Sequence, residues 1–227
     1  MLPAVWTPTL CAMDKDGTRR IYLDNAATSF PKPAGVNEAM GRYAIELGAS
    51  PGRGSYRESL EGGRIIAECR GRRAGLFGSP SPDHVVFTLN ASDALKLASN
   101  GIAHHERSKR GAAGSDEPIH FVATAMEHNS VLRPLNALQA DTVGPRVTWT
   151  CVEAESSTGL VDPGALRAAI RPETALGVAV HASNVSGTLQ PIGDFGAVCR
   201  GAGVPMLVDA AQTAGRLPID SEAMAFV

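Results

Sequence analysis

From residue 84 onward, short runs of β-branched and other apolar residues alternate with longer stretches whose apolar positions recur every three or four residues. Short apolar runs of this kind predict buried strands, and the longer periodic stretches predict helices. The predicted strands are 84–88, 119–123, 147–152, 175–181 and 204–209. The predicted helices are 92–104, 130–139, 163–170 and 193–200. Strands that alternate with helices indicate an α/β fold, a three-layer sandwich with a mostly parallel central sheet and helices on both faces.

The first 83 residues follow a different pattern. Residues 1–20 have few periodic apolar positions and predict a poorly ordered lead-in. A short extended segment at 21–24 precedes two helices, at 34–47 and 58–77, which end at Gly48 and Gly78. No repeat or low-complexity segment interrupts residues 21–227. We therefore expect them to form one large domain.

Composition and charge exclude several classes of protein. The chain is 44% hydrophobic and 19% charged, which is typical of a globular protein. With 21 basic and 23 acidic residues it has a net charge of -2, so we expect no nucleic-acid partner. No apolar run reaches the about 20 residues of a membrane span, and residues 1–20 lack the pattern of a secretory signal. We expect a cytoplasmic protein.

The four cysteines are widely scattered, without the spacing of metal ligands, so we predict no metal site. We expect Cys69, Cys151 and Cys199 to be small, buried apolar residues.

Small and polar residues follow several predicted strands, at the sheet edge where α/β proteins bind ligands. Ala91 and Ser92 open a helix, where free backbone amides and the helix dipole favour an anion. The alternative is an ordinary helix cap provided by Ser92 or Asp93. Asp209 ends the last predicted strand, and its carboxylate either meets a cationic ligand group or caps a turn.

Three further polar residues are candidates for ligand binding. Asn184 and Gln212 lie just beyond strand ends, and either bind a ligand or make ordinary loop hydrogen bonds. His128 lies between a strand and a helix, and either stacks on a ring and moves protons or is a structural histidine. Pyridoxal 5'-phosphate (PLP) needs such a set: an anion site, a carboxylate for its pyridine nitrogen, donors for its phenolic oxygen and a lysine for its aldehyde.

In order and placement these residues resemble the cysteine desulfurase branch of the class-V aminotransferases, which are fold-type-I PLP enzymes. The resemblance covers residues 21–224. The stretches that carry it are Tyr22-Leu23-Asp24-Asn25-Ala26-Ala27-Thr28, Ser50-Pro51-Gly52-Arg53, Phe87 to Ala94, Met126-Glu127-His128, His181 to Thr188, and Asp209 to Gln212.

The resemblance implies a role for each candidate. It assigns Ala91 and Ser92 to the cofactor phosphate, Asp209 to the pyridine nitrogen, and His128 to ring stacking and proton transfer. It assigns Asn184 and Gln212 to the phenolic oxygen, and places Asn25 and Ala26 beside the substrate entrance. The implied reaction takes sulfur from an amino acid, cysteine above all, to give alanine and an enzyme persulfide. The implied whole enzyme is a homodimer.

The lysine is where the chain departs from the family pattern. The lysines are Lys15, Lys32, Lys96 and Lys109, and the family's Schiff-base lysine would follow Val227. We therefore expect residues 21–227 to be the large domain of such an enzyme, incomplete at its C-terminal end and inactive alone. None of the cysteines matches the persulfide position.

The sequence leaves open two functions other than that of a desulfurase fragment. One is a noncatalytic module that pairs with a full-length relative. The other, a nucleotide-binding α/β protein, is disfavoured because neither GxGxxG nor GxxxxGK[ST] follows a predicted strand.

Overall fold

The computed structural model describes residues 11–13, 17 and 19–219. Contacts divide the chain into two compact units, Met1–Glu68 and Cys69–Val227. The single domain over residues 21–227 stays a prediction. Most of the predicted lead-in lies outside the described residues, and within it strand β1 (Cys11–Met13) pairs antiparallel with β2 (Arg19–Ile21).

Helices dominate the first unit. Helix α1 (Ala34–Arg42) continues as a π-helical segment (Tyr43–Leu47), which confirms the predicted helix. Gly48 ends it in the left-handed region at φ 56°, where it donates its N–H to the Tyr43 carbonyl over 2.8 Å. Glycine adopts this conformation without steric cost, which explains its place here. Helix α2 (Arg57–Leu76) starts in this unit and ends in the second.

The second unit contains a four-stranded parallel sheet. Its strands are β3 (Ile119–Thr124), β4 (Val147–Val152), β5 (Thr174–Val180) and β6 (Met206–Asp209), in the order β4-β3-β5-β6. Its helices are α3 (Ala91–Ala112), α4 (Asn129–Ala140), α5 (Pro163–Ala169) and α6 (Ile192–Gly201). The predicted α/β class and parallel sheet are confirmed.

The core of this unit lies on both faces of the sheet. On one face Val122 packs in a cluster with Leu166 of α5 and Phe195 of α6. On the other, the neighbouring Phe121 packs in a cluster that includes Leu135 of α4. Because successive strand residues point to opposite faces, a strand covered on both sides needs the continuous apolar run seen in the sequence.

One predicted strand is wrong. Residues 84–88 contain the end of a 3₁₀ turn (Pro82–His84) and otherwise irregular backbone. Val86 is 67% exposed and Phe87 47% exposed. A strand exists only through hydrogen bonds to a neighbour, and no strand in the described part of the chain pairs with this run, so its β-branched residues alone do not make it one.

The expectation of three buried cysteines is met only in part. Cys199 is buried as predicted and Cys69 is half-buried, but Cys151 is exposed, because it lies on β4 at the edge of the sheet. Within the described ranges, no helix has the length and apolar content needed to span a membrane.

Candidate functional site

The carboxyl ends of three adjacent strands bring candidate residues to one edge of the sheet. His128 follows β3, Asn184 follows β5, and Asp209 ends β6. Asp209 pairs in register with Val180, the last residue of β5. This edge of a parallel α/β sheet is where ligands bind, because loops and helix N-termini meet there.

Helices α3 and α4 begin side by side, joined by a chain of hydrogen bonds. The Ser92 hydroxyl lies 2.6 Å from the Ser130 hydroxyl, which lies 2.8 Å from Nδ1 of His128. The Ser130 N–H also donates to Nδ1 over 3.1 Å. Because a backbone N–H can only donate, Nδ1 is the acceptor, and the proton of the neutral ring lies on Nε2.

The cap of α3 is Asn90, whose Oδ1 accepts from the Asp93 N–H over 2.9 Å. The alternative in which Ser92 or Asp93 caps this helix is therefore wrong. Ala91 and Ser92 occupy the exposed first turn, and their backbone amides find no acceptor among the described residues. Free amides at a helix N-terminus favour an anion.

A cavity of about 440 Å³ lies between these two helix starts. Its lining includes Ser92 and His128 and adds two basic side chains, Lys96 and Arg133. Sequence reasoning missed both basic residues. The signal was available, since each lies about one helical turn after the small residues that begin α3 and α4.

Asp209 is 7% exposed, and its Oδ1 accepts from the Ala211 N–H over 3.0 Å. One oxygen therefore caps the turn that follows β6, as one of the two interpretations of this residue requires. The same turn carries the half-buried Gln212. The Thr213 hydroxyl lies 2.9 Å from Nδ1 of His181, which ties this turn to the residue that follows β5.

Glu127, beside His128, is a buried carboxyl group that sequence reasoning did not single out. Its Oε1 accepts from the Thr124 hydroxyl over 2.6 Å and from the Val180 N–H over 2.8 Å. Its Oε2 is buried and has no hydrogen-bond partner among the residues that the structure describes. Burial raises the pKa of Glu127 to about 7, and the negative charge of Asp209 adds to this effect.

The remaining candidates are less constrained. Asn184 is exposed in the loop after β5, which closes through an isolated bridge between Ala182 and Leu189. Asn25 and Ala26 belong to the first unit, where Asn25 Oδ1 accepts from the Phe30 N–H over 3.2 Å. Their place beside the substrate stays a prediction.

Comparison with known proteins bears directly on this arrangement. The family model described as Aminotransferase class-V matches residues 21–226. A probable cysteine desulfurase of Methanothermobacter thermautotrophicus is 35% identical over 90% of this chain and 46% of its own length. A cysteine desulfurase of Mus musculus is 31% identical over 89% of this chain and 41% of its own length.

Solved structures give the same result. The apo structure of a cysteine desulfurase from Thermococcus onnurineus NA1 superposes with a TM-score of 0.78 at 28% identity, over 90% of this chain and 47% of that one. A structure of SspA in complex with cysteine superposes with a TM-score of 0.76 at 32% identity, over 90% and 55%. The chain spans about half the length of the relatives it matches.

Proposed function

Because the chain belongs to the class-V aminotransferase family, whose members depend on PLP, we propose that it is the cofactor-binding part of a cysteine desulfurase. The activity is removal of sulfur from cysteine, leaving alanine and a persulfide. The observation that carries the proposal is the hydrogen-bonded chain Ser92–Ser130–His128 at two adjoining helix N-termini, at the same sheet edge as Asp209.

The residues present fit PLP. The free amides of Ala91 and Ser92 suit a phosphate, and the nearby Lys96 and Arg133 add positive charge. Asp209 is a buried carboxylate at a strand end, which suits a protonated pyridine nitrogen. When bound, PLP supplies a ring that withdraws electrons from the substrate.

The protein's own side chains have defined tasks in this proposal. His128 holds a proton at Nε2, because Nδ1 is engaged by Ser130, and offers its ring face for stacking. Asn184 and Gln212 would hydrogen-bond the phenolic oxygen, and the resemblance implies a substrate-side role for Asn25 and Ala26. A neighbour in structure is in complex with cysteine, which supports an amino acid substrate.

The chain has four lysines, and the family resemblance assigns the Schiff-base role to none of them. We therefore expect these 227 residues to bind PLP through charge and hydrogen bonds. A cytoplasmic location and a homodimeric whole enzyme belong to the same proposal and rest on composition and resemblance.

The test is titration of the full chain with PLP, followed by protein fluorescence and cofactor absorbance. We expect saturable binding that ATP and NAD do not compete for. Asp209→Asn removes the charge facing the pyridine nitrogen and weakens binding by about tenfold. Asp194→Asn, at an exposed carboxylate in the first turn of α6, is the matched control and changes nothing. If the wild-type chain fails to bind PLP, the proposal is wrong.

A noncatalytic pairing role is the second candidate. It is favoured by exposed apolar side chains in the irregular run before α3, where Val86 is 67% and Leu89 is 89% exposed. Mixing the chain with a full-length class-V relative and measuring mass by light scattering tests it. A mixed species that forms without PLP supports pairing, and two independent species exclude it.

A further inference from the structure

Glu127 is the one buried carboxyl group in the described site that is not used by the cofactor contacts proposed above. It is 7% exposed, and its two oxygens differ. Oε1 accepts two hydrogen bonds, whereas Oε2 is buried and finds no partner within the described part of the chain. An unsatisfied buried polar atom lowers stability, so a folded chain that keeps one calls for an explanation.

The two bonds to Oε1 span adjacent strands. Thr124 is the last residue of β3 and Val180 is the last residue of β5. The β3–β5 ladder ends at the pair Ala123 and Val178, so beyond it the carboxyl group takes the place of a ladder acceptor for the Val180 N–H. The side chain therefore links the β3–α4 turn, where His128 caps α4, to the end of β5.

Val180 also joins this link to Asp209. It pairs in register with Asp209, and the His181 N–H donates to the Asp209 carbonyl over 2.9 Å. The Glu127 carboxyl group thus contacts the end of β5, which pairs with Asp209, the residue proposed to face the pyridine nitrogen. In sequence, Glu127 directly precedes His128, the residue proposed to stack on the ring.

We infer that Glu127 is a positioning residue of this site, which fixes the turn that carries His128 against the end of β5, the strand end that pairs with Asp209. The cofactor part of this inference rests on the proposed function, and the positioning part does not. Glu127 acts through His128 and Asp209 and touches neither substrate nor cofactor.

The charge state follows from what surrounds the carboxyl group. Burial opposes ionisation, and the hydrogen bonds from Thr124 and Val180 favour it. The titratable groups of the described residues that face Glu127 are Asp209 on β6 and Cys151 on β4. Both are acids, so neither offers a positive charge to an ionised Glu127. With a pKa of about 7, Glu127 is largely neutral below neutral pH.

The experiment uses NMR on the full chain without cofactor. The Val180 amide reports the charge of Glu127, because it donates to Oε1. We expect this resonance to titrate near pH 7 in the wild type and not in Glu127→Gln. The His128 ring resonances report position, and we expect them unchanged in Glu127→Gln at pH 6 but shifted in Glu127→Ala. Glu153→Gln, at an exposed carboxylate just after β4, is the control and alters neither signal.

A purely structural role would lower stability in Glu127→Ala and leave the His128 ring resonances of the folded protein in place, which overturns the inference. A Val180 titration near pH 7 that persists in Glu127→Gln overturns the charge assignment. If Glu127→Ala does not fold, Thr124→Val removes the hydroxyl donor and is expected to shift the same His128 signals less.

PLP binding then separates the two proposals. We expect affinity within about twofold of wild type for Glu127→Gln at pH 6 and about tenfold weaker for Glu127→Ala. A wild-type chain that does not bind PLP defeats the proposed function, while the cofactor-free NMR signals still decide the positioning role.

Discussion

Two buried titratable side chains lie near opposite ends of β3, and they differ in how well the fold satisfies them. His120, near the amino end, has Nδ1 2.8 Å from the Thr174 hydroxyl and Nε2 2.9 Å from the Thr150 hydroxyl. Glu127, beyond the carboxyl end, has one oxygen that accepts from two donors and another for which the described residues provide none. The amino edge of the sheet thus satisfies the hydrogen-bonding groups of its buried side chain more fully than the carboxyl edge does.

The difference indicates that the amino edge of the sheet contributes stability, whereas the carboxyl edge is where we propose the ligand site. At the amino edge, threonine hydroxyls from both neighbouring strands hydrogen-bond the two ring nitrogens of His120. This satisfied network stabilises the sheet. At the carboxyl edge of the described sheet, loops and helix starts leave a cavity, and the described residues offer no partner to two helix amides and one carboxyl oxygen. The free amides and the cavity are what the proposed cofactor would occupy, since a parallel sheet offers its binding site at that edge.

The pH dependence of stability gives the largest expected contrast. Glu127 has a folded pKa of about 7 against 4.5 for the ordinary group, so the folded state holds a proton that the unfolded state releases. That contribution to the free energy of unfolding is full below about pH 4.5 and is lost as the pH rises through 7. We expect a loss of about 2–3 kcal/mol between pH 5 and 8.5.

Urea unfolding of the wild type and Glu127→Gln at both pH values measures this loss. Glutamine keeps the acceptor oxygen and cannot ionise, so the difference in unfolding free energy between the two proteins should change by that amount. Parallel pH profiles for the two proteins would show that Glu127 ionises normally.

His120 gives the opposite pH dependence at the other edge. Burial lowers the pKa of His120, with the Arg171 charge adding to the effect, so the unfolded state gains a proton more readily. Its contribution to stability is full above about pH 6.5, the ordinary histidine pKa, and falls as the pH drops below that value.

Replacing His120 by leucine leaves the Thr150 and Thr174 hydroxyls without the imidazole, at a cost of about 2 kcal/mol at pH 7.5. It should also reduce the loss of stability in acid. His105→Leu, at an exposed position on α3, is the matched control and should stay within about 0.5 kcal/mol. The comparison of edges fails if His120→Leu weakens PLP binding while stability is unchanged.

The parts of this fold that pattern could predict are those buried on both sides. Predicted strand 119–123 matches β3 (Ile119–Thr124) because its residues are buried throughout and, apart from His120, are apolar in sequence. The run 84–88 carries the same β-branched character but lacks a pairing strand in the described residues, and pairing is a property that a local pattern does not contain.

For the site residues, too, the sequence predicts one property and misses another. The positions of Asp209, His128 and Ser92 follow from strand and helix boundaries, which sequence locates well. Their partners do not, because Ser92 and Ser130 are 38 residues apart and Glu127 and Val180 are 53 apart. Only the folded chain brings such pairs together, so the free amides were predictable and the hydroxyl chain was not.

Replacing Ser130 should give the smallest difference between an effect on ligand binding and an effect on stability. Its hydroxyl joins Ser92 to His128, but its backbone N–H would still reach Nδ1 after Ser130→Ala, so α4 keeps its cap. We expect PLP affinity to fall about fivefold, which is about 1 kcal/mol, with stability within the same amount of wild type. Ser108→Ala, an exposed position late in α3, is the control and should leave the affinity unchanged.

An affinity loss in Ser130→Ala that matches a loss of stability would mean that the hydroxyl serves the fold. A loss of affinity alone would mean that the hydroxyl chain is part of the ligand site, as the unfinished carboxyl edge requires.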